Sequence, residues 1–384
     1  MEYTTIGAIN EYCSETINPA SYPGTIFEVY SVPSFESGSP EYLSGEEIGS
    51  TKQVVQKDDV LICKINPRIN RVWVVANESD KKSIASSEWI VLRNREYNPE
   101  FLGWYFRSAK FKMLMISEVT GIGGSLTRAQ PKRVAGYPVP LLNRSKQNEI
   151  VQRLNAIKRI IEARVRQIHI LDTLIKARFV EMFGDPENNP FGWEKRLLSE
   201  IIVTANNGMA RRGNDVDGSI VMRLVELQDG FIDYSAPNRI TLNEAEKTRY
   251  RLIDNDFLFA RVNGNPENVG RCAVFHEIRE PVYHNDHIIR VHFNEAMLDG
   301  VFASALINSA YGKRQIKSKI KTSAGQYTIS QDGIGAITTI IPPIQLQKHF
   351  AGFVSQIDKS KAVVQAALDK AQLLFNSLMQ QYFG

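Results

Sequence analysis

No run of about 18 apolar residues occurs anywhere in this 384-residue chain, so no membrane-spanning helix is expected. The opening MEYTTIGAIN has no basic start ahead of an apolar stretch, which argues against a signal peptide. Cysteine is scarce. Cys13, Cys63 and Cys272 are odd in number and far apart, giving neither a disulfide framework nor a zinc knuckle, and they fit a reducing cytoplasm. A G-x-x-x-x-G-K-S/T phosphate loop is missing, and so is a strand followed by G-x-G-x-x-G opening a helix. GIGG, Gly121 to Gly124, lacks both the lysine and the following helix. An Asn- or Asp-Pro-Pro-aromatic motif is also lacking, since NNPFGW carries one proline in a turn-like linker. His284, His287 and His292 lie in YHNDHIIRVHF, where strand alternation sends some to opposite faces, so they read as polar strand positions and not as a metal site. Nothing assembles a nucleophile, a base and an oxyanion hole, and no catalytic or metal-binding residue is assigned.

What is present is repetition. Phe183 and Phe383 are 200 residues apart, as are Leu174 and Leu374, and Gln147 and Gln347. EMFGDP at the middle answers QYFG at the end, and YPVPLL answers IIPPIQ. One offset at three places indicates two copies of one unit. The composition, 43% hydrophobic and 23% charged with a net charge of +4, is that of an ordinary globular protein. Basic clusters stand at corresponding places in the copies, RSAKFK at Arg107 to Lys112 and KRQIKSKIK at Lys313 to Lys321.

From Gln147 apolar residues recur at steps of three and four: Ile150, Leu154, Ile157, Ile161, Val165, Ile168, Leu171, Ile175, Phe179 and Met182. Phe350, Val354, Ile357, Val364, Ala367, Ala371, Leu374, Leu378 and Tyr382 keep the same spacing in the second copy. Each pattern predicts a helix of about 35 residues and about 50 Å, closed by Gly184 or Gly384. Neither helix can hide such a stripe alone, so the two are expected to pack together. Strand-like runs precede each helix: DVLICKIN matches DFLFARVN, RVWVV matches RCAVF, and EWIVLR parallels HIIRVHF. The first copy opens weakly, YTTIGAI answering WEKRLLSEI. The fold class is therefore α+β. Two mixed α/β lobes, residues 1–142 and 185–343, alternate with two spacer helices, residues 143–184 and 344–384, packed as an antiparallel coiled coil.

Two linked copies suit a ligand with two separated sites, and DNA half-sites about 34 Å apart are such a ligand. In this order and period the chain resembles the specificity subunit of type I restriction–modification systems. The resemblance runs the full length and is carried by RVNG followed by GRCAVF, by IIPPIQLQ leading into the last helix, and by YPVPLLNRSKQNEIVQRL and EMFGDP in the first half. KINPRIN replaces the usual Arg–Asn–Gly form in the first lobe, and the terminal helix lacks a Glu-Glu-Gln entry.

The resemblance implies two target recognition domains that read a bipartite, asymmetric double-stranded DNA sequence, with the helices setting its gap. It further implies methyltransferase subunits, usually two, docked on the helices, and a restriction subunit. S-adenosylmethionine, ATP and magnesium are expected on those partners and none on this chain, which would act in the cytoplasm without catalysis of its own. DNA contacts are expected from Lys64, Arg68, Arg71, Arg107, Lys110 and Arg128 in the first lobe. In the second lobe they are expected from Arg261, Asn263, Arg271, Lys313, Arg314, Lys317 and Gln326. Ile150, Leu154, Ile157, Ile161, Ile168, Ile175, Phe350, Val354, Ile357, Leu374 and Leu378 are expected at the helix-pair or partner interface. Two rival readings are an adaptor that binds only proteins and a nuclease lobe built on Asp58, Asp59 and Lys64. The second copy has Arg261 where that nuclease would need its lysine, which argues against it.

Overall fold

A computed structural model of the chain describes residues 2–77, 79–117, 127–323 and 325–384. Helices and strands are mixed, as expected. The chain divides into two units, Met1–Val165 with Ala366–Gly384, and Arg166–Gln365. The boundary falls inside both long helices, Arg144–Phe183 and Ile344–Phe383, each of 40 residues and hence about 60 Å long. Each runs beyond the apolar stripe of about 35 residues because it continues upstream into the residues that follow the proline-containing strand.

In the first unit a hairpin of Val60–Cys63 and Val72–Val74 is joined by Trp89–Leu92 into a three-stranded antiparallel sheet. The second unit repeats it with Phe257–Ala260, Cys272–Val274 and Ile288–Phe293, and adds Ile202–Asn207 at the edge. Val60 faces Leu92 as Phe257 faces Val291, so the strands matched by sequence occupy matched registers. The weak opening repeat is also present: Tyr3–Thr5 pairs with Pro138–Pro140, and Glu194–Leu197 pairs with Thr338–Ile341. Against each sheet lies a short buried helix, Pro99–Phe106 or Gly300–Ile307, capped by Asn98 or Asp299. The basic clusters lie on the next helices, Ala109–Ser117 and Ala310–Lys319. After the basic helix of the second unit the chain pairs Lys321–Ser323 with Gln326–Thr328 as a hairpin.

Each unit also holds a further sheet that the sequence pattern did not reveal. The first has five strands centred on the parallel pair Ile26–Tyr30 and Lys82–Ala85. The second has three, with Ser219–Met222 parallel to Val282–His284.

The 200-residue spacing of the glutamines has a concrete cause. Gln147, buried at the start of its helix, accepts from the Asn98 backbone N–H at 2.7 Å and donates to the Leu142 carbonyl at 2.8 Å. Gln347 accepts from the Asp299 N–H at 2.9 Å and donates to the Pro342 carbonyl at 2.7 Å and the Met297 carbonyl at 3.0 Å. A buried amide thus ties each long helix to the cap of the short one.

Within each unit the long helices touch along their apolar stripes. In the first, Ile150, Val151 and Leu154 share a core with Phe375, Leu378, Tyr382 and Phe383, and Arg153 donates to the Tyr382 hydroxyl at 3.3 Å. In the second, Phe179 and Phe183 meet Phe350 at ring distances of 5.6 and 5.5 Å, and Lys361 pairs with Asp172 at 2.7 Å. There, residue numbers fall along one helix as they rise along the other. Phe183 closes the first helix with Gly184 at φ +76, the left-handed cap expected from sequence.

Two of the stripe residues face outward. Leu374 is 51% exposed and Val165 52% exposed. Ala371, Leu378 and Tyr382 carry the inner face beside Leu374, while Arg164 is half-buried where Val165 was expected.

Candidate nucleic-acid interface

The end of the strand Val60–Cys63 places Lys64, and the matching end of Phe257–Ala260 places Arg261. Both side chains fold onto the turn that leads into the neighbouring strand. Lys64 Nζ donates to the Ser87 carbonyl at 2.7 Å, and Arg261 Nη1 to the Asp286 carbonyl at 3.0 Å. Their backbones match too, since Lys64 N–H donates to Glu88 and Arg261 N–H to His287. Arg68 is exposed in the turn that follows, held by Asn66 and Asn70 at φ +46 and +54. Arg71 Nε donates to Glu36 at 2.9 Å, and Arg128 Nη2 to Glu88 at 3.2 Å. Arg107 caps its helix, donates to the Val72 carbonyl at 2.9 Å and lies 5.4 Å from the Trp104 ring. Asn308 reaches the matching Cys272 carbonyl at 2.9 Å in the second unit. Lys110 is drawn elsewhere, to the Tyr3 hydroxyl at 3.2 Å and the Gly384 carbonyl at 3.4 Å, where it complements a helix C-terminus.

In the second unit Arg271, Lys313 and Lys317 line one small cleft with Glu267, Gly270 and Ile316. Arg271 Nη1 donates to Gln228 and Nη2 to Asn268, both at 2.9 Å. Lys313 meets Asp229 at 2.7 Å, Lys317 meets Glu267 at 3.1 Å, and Arg314 pairs with Glu187. Asn263 accepts from the Asn265 N–H at 2.9 Å, and Gln326 is exposed on its hairpin. Most of the cations hold an acceptor of their own chain. Exposed pairs of this kind contribute about 0–1 kcal/mol, so a phosphate can displace the carboxylate at little cost.

Of the acidic residues in the nuclease reading, Asp59 has a structural role. Asp59 is buried, takes a bidentate pair of bonds from Arg93 at 2.7 Å each, and caps the turn at Gln56. Its counterpart Asp256 caps Ile253 in the same way at 2.9 Å and meets His292 at 3.1 Å. The GIGG run lies outside the described residues. Sequence reasoning passed over Arg211 and Arg212, which sit in a loop after Ile202–Asn207 with no counterpart spacing in the first copy. Arg211 is held by Glu246 at 2.9 Å, and Arg212 by Asp286 at 2.7 Å.

No protein-family model matches the chain. It is 24% identical over 298 residues to the type I restriction enzyme StySPI specificity subunit of Salmonella potsdam. It is 21% identical over 294 residues to the EcoKI specificity subunit of Escherichia coli K12. These alignments take in 74% and 73% of the chain but only 63% of each relative's length. The fold is similar to that of the type I restriction–modification S subunit from M. genitalium, at 14% identity and TM-score 0.56, over 100% of this chain and 96% of that one. The resemblance read from the sequence is thus to proteins that are indeed curated as type I specificity subunits.

Proposed function

We propose that this relative of type I specificity subunits is itself the sequence-reading subunit of a type I restriction–modification complex. It would bind a bipartite, asymmetric target in double-stranded DNA, one unit to each half. The observation that carries the reading is the duplicated frame. The same strand register, the same buried glutamine and the same cation-bearing strand end occur twice, while the residues around them differ. A shared scaffold with divergent surfaces suits two half-sites of different sequence. The long helices would act together as an antiparallel coiled coil that sets the gap between half-sites. They would carry two methyltransferase subunits and, with them, a restriction subunit. S-adenosylmethionine, ATP and magnesium would belong to those partners, and this chain would contribute recognition without catalysis. Lys64, Arg68, Arg71, Arg107, Arg128, Arg261, Arg271, Lys313, Arg314 and Lys317 would meet the phosphates and bases, and Asn263 and Gln326 would add base-edge contacts.

The test is to co-express the chain with the methyltransferase subunit encoded beside it and map adenine methylation across the host genome. A single bipartite motif that disappears when the chain is omitted is expected. Co-purification of the two proteins with no motif would favour a protein-only adaptor instead.

A further inference from the structure

The two copies of the repeat, matched residue by residue, share one arrangement that the pattern of charges alone conceals. In the first unit Ile65 bridges to Arg128, and in the second Val262 pairs with Thr328 in the matching place. Arg128 therefore has threonine as its counterpart. Glu88, which holds the Arg128 guanidinium, corresponds to His287, because Lys64 and Arg261 donate their backbone N–H groups to these two carbonyls. At His287 an arginine is nonetheless present. It arrives from another segment: Arg212 Nη2 donates to His287 Nε2 at 3.0 Å and pairs with Asp286 at 2.7 Å, while Nη1 donates to the Ala210 carbonyl at 2.8 Å. Both guanidiniums remain half open to solvent, Arg128 at 56% and Arg212 at 51% side-chain exposure.

The loop that delivers Arg212 is fixed in place. Gly208 lies so close to His284 and Asn285 that a Cβ would come within 2.3 Å of their carbonyl oxygens. Met209 N–H donates to His284 at 3.0 Å, and Asp286 N–H returns a bond to Met209 at 3.0 Å. Arg211 is anchored on Glu246 and the Thr241 carbonyl. Accepting a bond from Arg212 requires a lone pair on His287 Nε2, hence a neutral ring. Burial, Arg212 and Arg261 lower the His287 pKa, outweighing Asp286, in keeping with that requirement. The same strand end thus presents an ordered arginine in both units, by two unrelated routes of the chain.

We propose that Arg128 and Arg212 are the equivalent base-reading arginines of the two units, each directed at a guanine, with Glu88 and His287 as their positioning residues. This rests on the DNA-reading function proposed above. Arginine is the side chain whose donor fork matches guanine O6 and N7 in the major groove, and holding it in place before binding lowers the entropy lost on contact.

The experiment is methylation mapping with the co-expressed complex carrying Arg212→Ala, Arg212→Lys, Arg128→Ala, His287→Ala or His287→Gln. Arg212→Ala is expected to relax one G·C position in one half-site, with discrimination falling roughly 5- to 150-fold and the other half-site unchanged. Arg128→Ala should do the same in the opposite half. Arg212→Lys keeps the charge and should still relax the position. His287→Ala should relax it partly, and His287→Gln, which keeps an acceptor, should restore it. Co-purification with the methyltransferase subunit reports that each variant is folded. A motif unchanged by both arginine variants, a relaxed A·T position, or a uniform loss of methylation at an unchanged motif would each overturn the assignment. If the unaltered chain directs no motif at all, the DNA-reading function itself fails, and that result is separable from these.

Discussion

Gln147 and Gln347 each satisfy backbone groups that water cannot reach, so their contribution lies in what would be left unpaired without them. Gln347→Met keeps the volume but strands the Asp299 N–H and the Met297 and Pro342 carbonyls. A loss of about 2–4 kcal/mol is expected in urea unfolding. The exposed Gln356→Met change should move stability by less than about 0.5 kcal/mol. His284 makes a pH prediction. It is buried with Nδ1 facing the Tyr250 carbonyl at 3.1 Å, and burial lowers its pKa to about 4. The unfolded chain would hold a proton there up to about 6.5. Between these values the unfolded state binds the extra proton, so stability rises with pH, is fully present above about 6.5 and is lost as pH falls toward 4. The slope from this one group is at most about 1.4 kcal/mol per pH unit. Unfolding midpoints measured from pH 7 to 4.5 should fall, and His284→Asn should flatten part of that fall. A profile as steep in the variant as in the parent would exclude His284 as its source.

The long helices carry two kinds of apolar residue, and they should respond differently to truncation. Phe179, Phe183, Phe302 and Phe350 form one aromatic cluster, with Phe183 and Phe302 rings 4.7 Å apart. Phe183→Ala should cost about 3–5 kcal/mol. Leu373 and Leu374, 72% and 51% exposed, should each tolerate alanine within about 0.5 kcal/mol of the parent stability. If the double change nevertheless abolishes capture of the methyltransferase subunit in a pull-down, that face is the docking surface; unchanged capture places docking elsewhere. The helices themselves were legible, since apolar residues recurring at steps of three and four match the helical period and break the alternation of a strand. Their faces were less so. A true helical turn of 3.6 residues drifts against any strict repeat, and over 40 residues Val165 and Leu374 rotate out of the stripe while Arg164 rotates toward it. The extra sheets were invisible for a different reason. Ile26–Tyr30 and Ser219–Met222 are short and flanked by irregular chain, and their parallel partners lie far off in sequence, Phe27 to Lys82 being 55 residues and Ile220 to Val282 being 62, beyond the reach of any local pattern.

At the scale of the whole molecule, duplication was the most readable property and charge the least. Matching Lys64 to Arg261 needed only the strand sequences. Finding Arg212 needed the fold, because its loop has no counterpart in the first copy and meets His287 only through tertiary packing. Lys110 shows the converse, a conspicuous cation in a basic cluster that the fold directs to Tyr3 and a helix end. These placements separate the two basic clusters in a salt titration. Lys313 and Arg314 rest on exposed carboxylates, Asp229 and Glu187, which a phosphate can replace. Changing both to alanine in the complex should weaken binding to target and non-target duplexes alike. It should also reduce the slope of log affinity against log salt by about 1–2, since each released counterion contributes about 0.9. Lys110→Ala should leave the slope as it was, because its ammonium already serves the Gly384 carbonyl. Equal slopes for all three proteins would remove Lys313 and Arg314 from the phosphate-binding surface, and a smaller slope in Lys110→Ala would move that surface to the other helix.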